Sequence, residues 1–437
     1  MTGAPALQDR PANTRWLPPG LRPPGAMTHR QAVVFLLVGA AALMGGYDTN
    51  VFSFSVPQVQ ASLHIPEDKI GLTVSLIRLA ALPALVLALT ADLFGRRRLL
   101  LFTIVGQALA TLATGFAQDY AQFVWCQTFT RLFGYAEEML CYVVVAEELG
   151  AEARGWANGT LAAMYYAGGG FTAALFAAIT YLPYGWRAMY VIGSVPLFLV
   201  AYLRRYLPET RRFEEREHEV EKLSSRIAGA IDMSRRLLHE HPRRVSIMML
   251  TIAAYGFAIW PAALFGQKYM QSVLHFTPGQ TSMVILSGGL VAVVFNILAG
   301  RLSDRIGRRA VIFGACLVAM VGFGTLYSGI HWHYVSAMWA LGFLGFVCAD
   351  SLYAGLSAEI FPTAYRATVS GMRYLVSILC GAVSLALEGP LFNLLGGHGP
   401  ALIVLLGTMP IAMISLLYLP EPAGRSLEDV AAEPDRK

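Results

Sequence analysis

Apolar residues in this chain run in stretches of close to 20, separated by short polar loops, rather than alternating with polar ones. A helix of that length matches the hydrocarbon core of a bilayer, so each stretch predicts a membrane-spanning helix. Twelve can be placed. In the first half they cover 32–56, 70–90, 99–117, 123–146, 156–180 and 188–206. In the second half they cover 245–268, 281–299, 310–330, 334–358, 367–392 and 400–419.

The polar loops repeat with the spans. ALTADLFGRRR (88–98) returns as GRLSDRIGRR (300–309), so Asp92 maps to Asp304 and Gly95 to Gly307, an offset of 212 positions. Glu147 and Arg154 return at the same offset as Glu359 and Arg366, and Leu207-Pro208-Glu209 as Leu419-Pro420-Glu421. Three matches at one offset mean two copies of one unit. The expected fold is an all-α membrane protein: twelve transmembrane helices in two pseudo-symmetric six-helix bundles, 32–206 and 245–419. Residues 1–31, with six prolines and four arginines, read as a disordered cytoplasmic tail in which Met27 is a candidate start. Residues 207–244 read as a cytoplasmic linker with a short amphipathic helix, and 420–437 as a second tail.

Composition agrees. Hydrophobic residues make up 56% and charged residues 14%, and the mean hydropathy of +0.53 is foreign to a soluble domain of this size. With both termini in the cytoplasm, 27 of the 33 Lys and Arg fall on the cytoplasmic side, the bias expected in an inner (plasma) membrane. The net charge of +5 then belongs to the lipid surface, and no nucleic-acid partner is needed. All five cysteines lie in spans, so no disulfide framework is implied. His331 and His333 supply too few ligands for a metal. Neither a GxxxxGK[ST] loop nor a Ser/His/Asp constellation is present, so no ATP-driven step, enzyme activity or cofactor is expected. The chain is expected to act as a monomer on a small molecule and protons.

In the repeated loops, Gly95 and Gly307 allow tight reversals, while Arg96 and Arg308 with their neighbours hold the loops at the headgroups. Asp92 and Asp304 are placed to bridge to neighbouring helix ends. Glu147, Arg154, Glu359 and Arg366 flank the next loop of each half and are candidate partners. Contacts of this kind at the cytoplasmic mouth predict a gate.

At these loops the sequence resembles the major facilitator superfamily over nearly its whole length. The first loop has Ala88 where the pattern wants glycine; the second matches with Gly300. The resemblance is to the sugar-porter and metabolite–proton symporter branch, carried by GGYD (45–48), GWR (185–187), LPETRRF (207–213), EIFPTAYRAT (359–368) and PEPAGRSLED (420–429). It implies a secondary transporter working by alternating access. The seventh span departs from sugar porters: YGFAIWPAALFGQKYM (255–270) holds only Gln267 of their paired glutamines, which counts against a hexose.

Charges inside the membrane need a partner or a watery cavity. At 1.5 Å per residue, Asp48 and Arg131 each lie about 24 Å from the cytoplasmic end of their spans, and Arg78 about 21 Å. Three charges from spans 1, 2 and 4 are thus expected at one level. Asp48 is the candidate proton carrier and Arg131 its alternating partner, because a buried carboxylate keeps its charge beside a guanidinium and takes up a proton when apolar groups replace it. The resemblance implies the same pair. A fixed structural ion pair is the alternative. Arg78 would then be a surplus cation for an organic anion. Glu137 and Glu138, at about 15 and 14 Å, favour a cation instead, and a sugar or polyol also remains open, as does a non-transporting receptor. Tyr165, Tyr255, Trp260 and Trp339 are candidate cavity-wall residues. Asp350 and Arg373 are expected to pair across spans 10 and 11, and Glu388 to be solvated.

Overall fold

Each of the twelve expected spans is helical in the computed structural model, which describes residues 23, 27–149, 151–205 and 223–422. Among the described residues, ten helices are long and apolar enough to cross a membrane by length and composition. The two that fall short, Tyr120–Glu148 and Ala151–Ala177, are 29 and 27 residues long, so composition is the reason. The first carries Arg131, Glu137 and Glu138; the second is rich in glycine and tyrosine.

Some spans end elsewhere than expected. The eighth extends over Pro278–Ile306, opening in a capping box of Thr277 and Gln280 and closing at Gly307, whose φ is 107°. The second is broken into Ile70–Leu79 and Ala81–Leu89, and the twelfth into His398–Leu406 and Met409–Leu416. Each break falls four residues before a proline, Pro83 or Pro410, whose nitrogen has no hydrogen for the carbonyl of Leu79 or Leu406.

The chain packs as two compact units, residues up to 58 with 80–223, and residues 59–79 with 224 onward. Small residues explain why the turn between spans 1 and 2 packs with the second half. A Cβ on Gly71 would stand 2.2 Å from the Leu385 carbonyl oxygen, and one on Gly389 would stand 1.8 Å from that of Asp68. Only glycine lets backbones come so close. In the first unit, Val38, Ile104, Leu140, Leu161 and Leu197 form one buried core. There span 1 meets span 5 in the same way: a Cβ on Gly46 would lie 1.8 Å from the Tyr165 carbonyl oxygen, and one on Gly168 1.9 Å from that of Leu43. Gly46 of GGYD and Gly168 are therefore packing residues, whereas a Cβ on Gly45 would meet nothing among the described residues.

The amphipathic linker helix is present over Leu223–Glu240 and is tied down by the Tyr365 hydroxyl, which donates to Glu240 at 2.7 Å. Residues 207–222 and 423–437, which hold LPETRRF and most of PEPAGRSLED, lie outside the described residues, as does nearly all of the expected N-terminal tail.

Candidate functional site

Span 3, Arg96–Gly115, carries polar residues every four positions, Thr103, Gln107 and Thr111, which places them on one face of an otherwise apolar helix. All three are buried. Gln107 Nε2 donates to Asp48 Oδ2 at 3.0 Å, and the Thr111 hydroxyl donates to the same carboxylate at 3.2 Å. Asp48 itself is only 1% exposed. Arg131 reaches span 1 beside it, but its Nη2 donates to the main-chain oxygens of Asp48 and Thr49 at 3.3 and 2.7 Å. The expected Asp48–Arg131 ion pair is thus replaced, among the described residues, by a guanidinium on the backbone and a carboxylate held by neutral donors. Carbonyls at the glycine-spaced crossing of span 1 are open to a donor, and the stripe on span 3 already occupies the carboxylate.

The two neighbouring acids differ in what they bond. Glu137 is buried and bonded to Arg204 and to the Thr103 hydroxyl. Arg204 is the last residue of its helix and turns back into the core, where Nη2 also donates to the Leu37 carbonyl at 3.3 Å. Glu137 is therefore consumed by an internal ion pair rather than offered to a ligand. Glu138 and Glu137 both line a hollow of the first unit, together with Asp48, Arg131, Tyr135 and Tyr165.

Arg78 packs in the second unit, apart from the packing of Asp48 and Arg131. Its guanidinium carbon lies 3.6 Å from the centroid of the Trp260 ring, a cation–π contact. Trp260 is fixed in turn, Nε1 donating to Ser377 Oγ at 3.0 Å. Asp350 and Arg373 pair as expected, at 3.8 Å. Asp350 stands at the 212 offset from Glu138, so both halves place an acid at one repeat position. Two expected wall residues are core residues instead. Trp339, 1% exposed, sits over Gly266 and Gly288, where a Cβ would be 2.0 and 2.8 Å from its ring. Tyr255 is buried against Tyr353, with its hydroxyl donating to the Phe346 carbonyl at 3.0 Å.

The repeated loops have the same geometry in both halves. Gly95 and Gly307 take φ of 90° and 107°, a region that disfavours any side chain. Arg96 is bidentate to Glu147, at 3.2 and 3.0 Å, and Arg308 to Glu359, at 3.1 and 3.0 Å. Glu147 and Glu359, candidate partners of the repeated loops, thus meet the loop arginines, whose planar fork matches a carboxylate. Asp304 joins Arg308 at 2.8 Å across the Gly307 reversal. The side chains of Asp92 and Arg154 lie outside the described residues, and Arg366 forms no ion pair among the described residues. Glu421 caps the helix after the second loop, accepting from the Arg308 and Arg309 amides at 2.7 and 2.9 Å.

The residues that sequence reasoning missed are Gln107, Thr111 and Arg204. The four-residue spacing of polar groups on span 3 was the available signal for the first two. Arg204 had none, because a helix-end arginine looks alike whether it turns outward or inward.

Comparison with known proteins agrees with this architecture. The family model described as Major Facilitator Superfamily matches residues 38–385 and 247–435. A relative from Cupriavidus pinatubonensis, named as a probable 4-methylmuconolactone transporter, is 24% identical over 406 residues, covering 89% of this chain and 90% of its own. A cis,cis-muconate transport protein from Acinetobacter baylyi is 23% identical over 367 residues, covering 83% and 88%. An inward-open structure of a xylose transporter from E. coli superposes with a TM-score of 0.72 at 18% identity, covering 92% of this chain and 99% of that one.

Proposed function

Because the chain belongs to the major facilitator superfamily, and is thus an integral membrane protein and a secondary transporter, we propose that it takes up a small organic acid together with protons by alternating access. The observation that carries this reading is Asp48: a buried carboxylate held, among the described residues, by neutral donors, with a guanidinium on its own backbone carbonyl. Such a group is stable as a protonated acid in that setting and as a carboxylate once the arginine swings onto it. Arg131 is the positioning residue that makes the difference between those two states.

Arg78, a cation placed over the Trp260 ring, is the candidate anchor for the substrate's carboxylate. The named substrates of two relatives, muconate and a methylmuconolactone, are organic acids, in keeping with a cationic anchor. The arginine–glutamate pairs of Arg96 with Glu147 and of Arg308 with Glu359 are the candidate gate, breaking and reforming as transport proceeds. The charge bias along the sequence supports an inner membrane with both termini cytoplasmic. A second reading, an organic cation, is favoured by one observation, that Glu138 faces the hollow beside Tyr165.

A thermal-shift screen of the purified protein against carboxylates, polyols and amines separates these readings. Stabilisation by cis,cis-muconate and similar acids, and by no polyol or amine, is the expected result. Stabilisation by amines alone would transfer the substrate role to Glu138.

A further inference from the structure

At the end of the second unit opposite the 304–309 loop, four ionisable groups form a chain that none of the sites above uses. Glu388, expected to be solvated, is fully buried. Its Oε1 lies 2.5 Å from Nδ1 of His398, which stands just ahead of the apolar stretch 400–419. The other ring nitrogen, Nε2, is 3.2 Å from Oε2 of Glu67 in the turn between spans 1 and 2. That same oxygen is 2.7 Å from Nζ of Lys268 at the end of span 7, and Lys268 also donates to Gln60 at 2.6 Å. Phe265 and Phe392 lie against the imidazole, with centroids 5.6 and 4.4 Å away.

A carboxylate has only lone pairs to offer, so an imidazole that meets carboxylates at both nitrogens satisfies both contacts only when each nitrogen carries hydrogen. A neutral imidazole has one N–H and would set a lone pair against a carboxylate oxygen in a nearly dry pocket. The charges agree. Glu67 and Glu388 against Lys268 leave one negative charge over, and one added proton cancels it, whereas an uncompensated buried charge is strongly unfavourable. The remaining titratable groups nearby do not supply it. The Asp68 carboxylate takes the Asn393 amide at 3.4 Å, and the Tyr327 hydroxyl donates to the Ala262 carbonyl. Tyr269 adds only a neutral phenol near Gly399. Glu67, 42% exposed, gives the proton a way to water.

We propose that Glu67, His398 and Glu388 form a proton-binding site of the second unit, separate from Asp48, in which His398 is an imidazolium that ties the turn after span 1 to spans 11 and 12. Binding there is independent of the substrate reading above. When the proton leaves, the turn loses its bond to one of its two anchors, and the stability that the site contributes is lost as pH rises.

The test uses full-length protein carrying 15N-histidine, with His398→Gln assigning one signal among the nine histidines. At about pH 7.5, where exposed histidines are mostly neutral, His398 is expected to carry hydrogen on both ring nitrogens. The melting temperature of the wild type should fall by about 3 °C or more on raising the pH through deprotonation, and His398→Gln and Glu388→Gln should flatten that slope. Glu67→Gln, at the accessible end, provides the same readout should the buried variants fail to fold. A single protonated nitrogen at His398, or a wild-type slope in the variants, would overturn the proposal.

Discussion

Asp48→Asn is expected to abolish proton-driven accumulation while leaving substrate exchange across the membrane intact. In the wild type, a symport of one proton with one monovalent anion carries no net charge, so a gradient of one pH unit supports about a tenfold accumulation. Asparagine keeps the size of the side chain and can accept from Gln107 and Thr111 as the acid does. It cannot exchange a proton. The internal concentration of labelled substrate in proteoliposomes should therefore level at the external one, with counterflow of preloaded substrate still present. Persistent accumulation in the variant would remove Asp48 from the coupling role. Loss of counterflow as well would mean that the carboxylate is needed for the structure or for substrate itself.

The second large effect is expected at Arg78. Truncating one partner of a buried, hydrogen-bonded charge pair costs about 2–5 kcal/mol, so Arg78→Ala should raise the KM for a carboxylate substrate by at least about 30-fold. Arg78→Lys keeps the charge but neither the planar stack on Trp260 nor a bidentate grip, and should fall between. A neutral polyol, were it transported, would be indifferent to both changes. Equal loss for every substrate class would identify Arg78 as a structural prop of the Trp260 stack.

The architecture was legible because bilayer thickness imposes a length that any apolar helix must meet, and because the loop motifs at 92–98 and 304–309 fix the duplication independently of the spans. Rise per residue gives an expected depth along a helix. Direction around the helix was not legible. Glu137 and Glu138 are neighbours in sequence and both line the hollow, yet Glu137 is taken up by Arg204 and the Thr103 hydroxyl. The 100° between successive residues decides that, and no charge count reveals it. Trp339 was misplaced for a related reason: an aromatic ring that lines a cavity and one seated on Gly266 and Gly288 have the same sequence signal. Conversely, Arg131 was expected on the Asp48 carboxylate because opposite charges at one depth suggest a pair. Hydrogen-bonding capacity of the backbone, with the neutral stripe on span 3, settled the contact otherwise.

What the whole reading rests on is that an acid moves inward only with a proton. Adding cis,cis-muconate to a lightly buffered suspension of proteoliposomes, with no gradient imposed, measures this directly through the external pH. The medium should turn alkaline as carboxylate and proton enter together, with no response to polyols or amines and none in Asp48→Asn vesicles. Entry of the acid with the external pH unchanged, or alkalinisation driven by a polyol or an amine instead, would contradict the account.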